Sequence, residues 1–261
     1  MNSLFKERLS ASVKRLTRGL ALSALCVSIF AMSCFGQVKN IVLVHGAWAD
    51  GSGWQAVYKI LKAKGYNVTV VPSPNTSLAE DVRITKAVLR QQKGPVILVG
   101  HSYGGAVITE AGDTSSVAGL VYVAAFVPDK GESLLKMQQA GPPNPSSGIL
   151  APADGFIWYD KAKFHADFCA DLSAPLGEFM ADSQVPVGVP AFTTELTTAA
   201  WKTHKSWYIV SKKDRMIPPD VERMMAKRAN CVTSEIDASH VGFISHAIEV
   251  AAVIEKAANA K

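Results

Sequence analysis

Cysteine is scarce in this chain. The 261 residues hold four, of which Cys26 and Cys34 fall in the first 36 and only Cys169 and Cys231 remain beyond them. That number excludes a scaffold stapled by disulfides, and no Cys/His spacing fits a zinc site. Cys169 and Cys231 could pair in an oxidising compartment, but two unrelated buried thiols is the favoured reading. An excess of one charge is also missing where it would matter. The formal net charge is +5, yet residues 1–36 hold Lys6, Arg8, Lys14, Arg15 and Arg18 against Glu7, which leaves about +1 for the remainder. No basic footprint for nucleic acid survives that division. No internal repeat is present, so solenoid and propeller architectures drop out. What is there in quantity is apolar residue, 48% of the chain. A chain of this length and composition is globular, with room for one large α/β domain or two small ones.

The first 36 residues have the layout of an export signal: a basic stretch to Arg18, an apolar run from Leu20 to Met32, then small residues before Gln37. The apolar run is too short for a membrane span. Cleavage after Gly36 is expected, leaving residues 37–261 as a single exported domain, periplasmic or secreted. Two alternatives stand beside it. Ala31-Met32-Ser33-Cys34 is a weak match to a lipoprotein box that would lipidate Cys34, and the leader could stay attached as an anchor.

Further on, short apolar runs alternate with helical patterns. Ile41–Val44 reads as a strand, followed by a helix on which Trp54, Val57, Tyr58 and Leu61 recur at helical spacing. Asn67–Val71 is the next strand, and Ser77-Leu78-Ala79-Glu80 is a capping box that opens a helix to about Gln91. Val96–Val99, Val117–Val123, Trp207–Val210 and Thr233–Ile236 complete the strands, and a last helix covers about Ile244 to Ala258. Because these runs do not alternate apolar with polar, each reads as buried on both faces. That pattern predicts an α/β fold, a mostly parallel sheet with helices on both sides. From about 131 to 205 the rhythm breaks. The run Gly141-Pro142-Pro143-Asn144-Pro145-Ser146-Ser147-Gly148 excludes regular structure, and clustered aromatics follow (Phe156, Trp158, Tyr159, Phe164, Phe168) with helical patches around Leu176–Ala181. The segment is expected to form a small helical cap over the sheet's C-terminal edge; a helical appendage packed elsewhere is the alternative.

The chemistry centres on Gly100-His101-Ser102-Tyr103-Gly104-Gly105. A buried strand running into Gly-x-Ser-x-Gly and then a helix is a nucleophile elbow, a sharp turn that pushes one serine hydroxyl above the sheet. A serine hydroxyl is a poor nucleophile unless a base is at hand, and the base needs a carboxylate to fix its tautomer. Ser102, Asp214 and His240 arrive in that order, each just after a strand. Among the other histidines, His45 and His101 sit in the flanking turns, His165 and His204 lie in or beside the cap, and His246 falls at the start of the last helix. Asp237 is too near His240 in sequence to come from a separate strand, whereas Asp129 follows the strand after the elbow and is the real competitor of Asp214. An oxyanion hole would need two backbone N–H groups, expected from Tyr103 and Ala47. Trp48, Phe126, Trp158 and Tyr159 are the candidate substrate-lining residues, although Trp48 and Tyr103 also suit ordinary packing.

Val42-Leu43-Val44-His45-Gly46-Ala47-Trp48, the Gly100–Gly105 motif, Asp214-Arg215-Met216-Ile217-Pro218-Pro219 and Ser239-His240 together resemble the α/β-hydrolase superfamily. More narrowly they resemble a bacterial esterase-like branch related to plant hydroxynitrile lyases and methylesterases. The resemblance spans the chain beyond the leader and implies a Ser-His-Asp triad with no metal or other cofactor, in a pocket between sheet and cap. It departs from the lyases at two places: Val241 stands where they carry a lysine after the catalytic histidine, and a threonine of their first loop falls near Gly46. Both departures turn the expectation from cyanohydrin cleavage towards hydrolysis of a small-molecule ester, a carboxylesterase. A lyase or another cofactor-free reaction on this scaffold, and a ligand-binding relative without turnover, are the rival readings.

Overall fold

The computed structural model describes residues 37–140 and 147–260. The leader expected at 1–36, with its cleavage point and Cys34, and most of the proline-rich run lie outside the described residues. From Val38 to Ala260 the chain is one compact unit. Its frame is a six-stranded, wholly parallel sheet: β1 (Asn40–Val44), β2 (Asn67–Val70), β3 (Val96–His101), β4 (Val117–Val123), β7 (Ser206–Ser211) and β8 (Val232–Ile236). The spatial order is β2-β1-β3-β4-β7-β8. Every residue of β1, β3 and β7 is buried, as their unbroken apolar runs require. The helices that flank these strands shield both faces. Removing a side chain such as Leu43 or Ile97 fully from water contributes about 1.5–3 kcal/mol. The edge strands are different: β2 and β8 are short and carry Asn67, Thr69, Thr233, Ser234 and Glu235, which discourages a further strand from adding.

Helix α1 (Gln55–Ala63) ends at Gly65, whose φ of +81° suits glycine. It packs against the C-terminal helix on one face. On the other lie α2 (Leu78–Arg90) and α3 (Gly104–Ala111). Half of the expected capping box forms: Ser77 Oγ accepts from Glu80 N–H at 3.1 Å, while the Glu80 carboxylate turns to Arg83 instead of back to the Ser77 N–H. Between β4 and β7 the chain builds α4 (Leu134–Ala140), α5 (Lys161–Phe168), α6 (Ala174–Asp182) and α7 (Val189–Thr193). It also contains a small antiparallel ribbon of β5 (Phe156–Ile157) and β6 (Val187–Gly188), which the sequence patterns gave no sign of. After β7, α8 (Pro219–Arg228) starts with proline in its first turn. The final helix is not continuous. It divides into α9 (Gly242–Ser245) and α10 (Ala247–Ala258) at His246, where φ is −120° and ψ 41°. Among the described residues no helix is long and apolar enough to cross a membrane.

The strand order reverses between β1 and β3, and the loops leaving their C-terminal ends diverge there. In open parallel sheets that crevice is where ligands bind. Ser102 leaves β3 at this point with φ of 52°. Its backbone is gripped from three sides: its N–H donates to Val123 O at 3.3 Å, and its carbonyl accepts from Gly105 N at 2.9 Å and Phe126 N at 3.1 Å. So tight a turn leaves no space for neighbouring side chains. A Cβ on Gly100 would stand 2.5 Å from Gly104 O, and one on Gly105 would stand 2.2 Å from Phe126 O. Both contacts are with backbone, so neither can relax by rotating a side chain. Gly105→Ala is therefore expected to lower unfolding stability by about 2 kcal/mol or more, or to prevent folding. Urea unfolding of the variant beside wild type measures this.

Candidate active site

Three loops meet around Ser102. The first follows β1 and begins His45-Gly46-Ala47-Trp48. A Cβ on Gly46 would be 2.7 Å from Ser102 Cβ, so this loop lies directly on the serine. Trp48 adopts φ of 55°, a costly conformation for a bulky residue. Its indole N–H donates to Ile157 O of β5 at 3.0 Å, and its ring packs against Tyr159 and Phe192. Of the six described non-glycine residues at positive φ, Trp48, Asn75, Ser102 and Ala124 all lie in loops at this rim of the sheet. Strain gathered in one place marks a site where geometry matters more than stability.

The loop is fixed from below. Asn75, fully buried, donates through Nδ2 to Gly46 O and Ala49 O, both at 3.3 Å. Its own N–H goes to Asp81 Oδ1 at 3.0 Å, while Asp81 Oδ2 accepts from the Tyr103 hydroxyl at 2.6 Å. One buried carboxylate thus braces the loop after β1 and the residue after Ser102. Burial pushes the Asp81 carboxyl up to about 6, against the opposing pull of the Tyr103 and Asn75 hydrogen bonds. Among the described residues, the backbone N–H groups of Ala47 and Tyr103 have no hydrogen-bond acceptor.

The second loop follows β7. Asp214 is 4% exposed. Its Oδ1 accepts the N–H groups of Met216 at 2.6 Å and Ile217 at 2.9 Å, and its Oδ2 lies 2.6 Å from His240 Nδ1. The third loop follows β8 and carries His240, which is fully buried. With Nδ1 committed to Asp214, Nε2 is left without a hydrogen-bond partner among the described residues. His101 holds this loop from the elbow: its Nε2 donates to His240 O at 3.0 Å, and the two rings lie 4.6 Å apart. Burial, and then the neighbouring His240, hold His101 well below the usual histidine range, so it serves as a neutral strut. Burial likewise lowers His45, whose Nδ1 meets Gly46 O.

The segment between β4 and β7 reaches both of the other loops. Asp171 accepts from Ser239 N at 3.1 Å, from the Ser239 hydroxyl, and from Ser245 Oγ at 2.7 Å. Burial works to raise Asp171, but these donated bonds outweigh it and hold the carboxyl low. Asp167 accepts from Tyr159 Oη at 2.9 Å and pairs with Arg215, next to Asp214, at 3.2 Å.

Of the residues the sequence points to, Asp214 and His240 are in direct contact, whereas no hydrogen bond joins Ser102 to His240 among the described residues; Ala47, Trp48 and Tyr103 stand on the loops beside Ser102. Phe126 borders it through its bond to the Ser102 carbonyl, and Tyr159 enters through its ring contact with Trp48. Trp158 is different: 39% exposed, it belongs to the surface. The competing acids are occupied elsewhere, Asp237 by Lys213 and Asp129 by Lys202. His165 and His204 bond the backbone at Leu172 and Ala200, and His246 bonds Ser245. Cys169 and Cys231 are free thiols, each pushed up to about 12 by burial. His101, Asn75, Asp81 and Asp171 were not singled out as parts of a site, and no local pattern marks them.

A family model for the alpha/beta hydrolase family matches residues 41–253. The chain belongs to that family. Among its relatives is a carbendazim hydrolyzing esterase of Nocardioides sp. (strain SG-4G), 35% identical in an alignment of length 128 that covers 43% of this chain and 53% of that protein. A pyrethroid hydrolase of Sphingobium wenxiniae is 27% identical in an alignment of length 252 that covers 85% of this chain and 89% of the relative. The crystal structure of a pyrethroid hydrolase, PytH, superposes with a TM-score of 0.72 at 25% identity, covering 85% of this chain and 98% of that one.

The Asp81 brace carries a pH signature. In the unfolded chain this carboxyl returns to about 3.8, so between that value and about 6 the folded state holds a proton that the unfolded state has released. Stability must therefore fall as pH rises through this window, by about 3 kcal/mol at most. Asp81→Asn removes the titration. Urea unfolding from about pH 4 to 7 is expected to show the variant gaining on wild type by up to that amount; a difference that stays constant with pH would refute it.

Proposed function

We propose that this alpha/beta hydrolase is a carboxylesterase in which Ser102 is the nucleophile, His240 the general base and Asp214 its orienting acid. The observation that carries the reading is the His240 ring itself: buried, locked at Nδ1 by Asp214, and free at Nε2. A base so held presents one nitrogen in one tautomer, as proton transfer from a neighbouring hydroxyl demands. Ser102 Oγ attacks the ester carbonyl as its proton passes to His240 Nε2. The Ala47 and Tyr103 amides, having no other acceptor, receive the developing oxyanion. Loss of one such donor typically costs 10²–10³ in rate. The imidazolium then protonates the leaving alcohol. Water, deprotonated by His240, releases the acyl group from Ser102.

Directly after His240 stands Val241, fully buried. No cation at that position could steady a cyanide ion, which favours hydrolysis over the lyase alternative. Beside the site is a cavity of about 350 Å³, walled by Phe126, Met137, Ile149, Met216, Ile217 and Met225. Ser102 and His240 do not line it; two of its wall residues bond to the site from behind, Phe126 N–H to the Ser102 carbonyl and Met216 N–H to Asp214, and Glu132 and Arg228 add one charged flank. Its size and methionine-rich walls suit a small to medium apolar group. The relatives named for carbendazim and pyrethroid hydrolysis are consistent with ester or related acyl substrates of that character.

Ser102→Ala is expected to reduce hydrolysis of p-nitrophenyl butyrate by about 10³-fold or more. Wild type, but not the variant, is expected to be labelled by a fluorophosphonate. Equal rates from the two proteins would overturn the serine mechanism.

We also propose that residues 1–36 direct export to the periplasm or beyond. Basic residues up to Arg18 and the apolar run after them support this. Expression of the full chain in a bacterium should yield a processed product whose intact mass places its N-terminus at Gln37. A mass that retains the leader, or a lipid on Cys34, would overturn that cleavage.

A further inference from the structure

Behind the Asp214–His240 pair lies a second carboxyl group that the reaction above does not use. Glu222 belongs to the first turn of α8 and is fully buried, although Asp220 and Arg223 of the same helix form a surface ion pair. Its carboxyl lies against that of Asp214. Oε2 accepts the Ser211 N–H at 3.2 Å, whereas Oε1 has no donor among the described residues. No lysine or arginine among them pairs with either acid, and the one cationic candidate is the His240 ring. The Tyr208 hydroxyl on β7 also stands against the Glu222 carboxyl, but its one proton has a nearer acceptor: it donates to the Ala125 carbonyl at 2.7 Å and accepts the Ala125 N–H at 2.9 Å. The Cys231 thiol, near Tyr208, is pushed up to about 12 and carries no charge.

Two carboxyl groups in contact away from water cannot both be ionised, so the pair holds one proton between them. The donors decide where it resides. Asp214 receives two backbone N–H groups and the His240 Nδ1–H; Glu222 receives one N–H. Charge stays where donors are most numerous, and the proton goes to the group with a bare oxygen. We propose that Glu222 is a neutral positioning residue whose carboxylic O–H donates to the Asp214 carboxylate, adding a fourth member to the line Ser102–His240–Asp214. Burial, and next the Asp214 charge, raise the Glu222 carboxyl well above the ordinary range, in keeping with this assignment. The added bond fixes the carboxylate that orients His240.

This role rests on the catalytic reading of Ser102, His240 and Asp214, but the proton on Glu222 does not, and the two are tested separately. Difference infrared spectroscopy at about pH 8, where Asp81 is ionised, should show the carbonyl stretch of a protonated carboxylic acid in wild type and in Ser102→Ala. The band should vanish in Glu222→Gln. Its absence from wild type overturns the proposal whatever the enzyme does. In kinetics, Glu222→Gln keeps a donor and should hold kcat/KM within about threefold of wild type. Glu222→Met keeps the volume without a donor. It should lower kcat about tenfold with KM little changed. A Glu222→Gln variant that loses as much kcat as Glu222→Met also overturns it.

Discussion

The left-handed backbone at Ser102 is the constraint from which the rest of the site follows. A serine in that conformation is unfavourable by about 1–3 kcal/mol unless its surroundings leave it no choice. Here the surroundings do so: β4 supplies the acceptor for its N–H, and the carbonyl is held by Gly105 and Phe126. Those grips need the elbow, the loop after β4 and the N-terminus of α3 in close approach, and the approach is possible because Gly100 and Gly105 have no side chain to intrude. The parallel sheet is what brings these three pieces of chain to a common rim. The sheet in turn depends on strands apolar enough to be buried on both faces. A single backbone angle therefore reaches back to the composition of β1, β3 and β4.

A reactive rim also has to hold polar groups where water is absent, and the structure does this by giving each loop a buried brace. Asp81 ties the loop after β1 to Tyr103, His101 ties the elbow to His240, and Asp171 ties the loop after β8 to the segment between β4 and β7. Each brace places a hydrogen-bonding group under a loop that would otherwise have several conformations open to it. The cost is visible in the titrating groups: burial lifts Asp81 to about 6 and suppresses the charge on His101. A buried polar network that is largely satisfied rigidifies its surroundings and is strongly destabilising when broken, which suits a site whose atoms must stay aligned.

The difference between what was legible in the sequence and what was not follows from the range of the interactions. Strands such as Ile41–Val44 and Val96–Val99 announce themselves through local apolar runs, and Ser77 with Glu80 makes a cap within four residues. Ser102, Asp214 and His240 are legible as residues of one rim because each follows a strand and the order of strands fixes where loops emerge. His101 occupies the variable position between Gly100 and Ser102, where any residue satisfies the motif. Its partner, the carbonyl of His240, is 139 positions away and leaves no trace in local pattern. Asp171 and Ser239 are 68 apart, and Asp81 and Tyr103 are 22 apart. Trp158 was chosen because aromatic residues crowd that stretch, but crowding says nothing about which face of a two-residue strand a neighbour takes. The break at His246 was missed because apolar residues on both sides of it continue a helical rhythm that the backbone does not.

The segment between β4 and β7 is tied to all three loops around Ser102. Trp48 hangs the first loop from β5, Asp167 meets the residue beside Asp214, and Asp171 grips the residue beside His240. Met137 and Ile149 of this insertion wall the cavity beside Phe126, and through Asp167 and Asp171 the same insertion also fixes the loops that carry Asp214 and His240. Cavity shape and loop position are therefore mechanically joined: a substitution that moves the insertion to widen the cavity also pulls on those loops. The scaffold can vary its cap freely only where Asp167 and Asp171 keep their places. Two carboxylates thus limit how far the walls of that cavity can be remodelled.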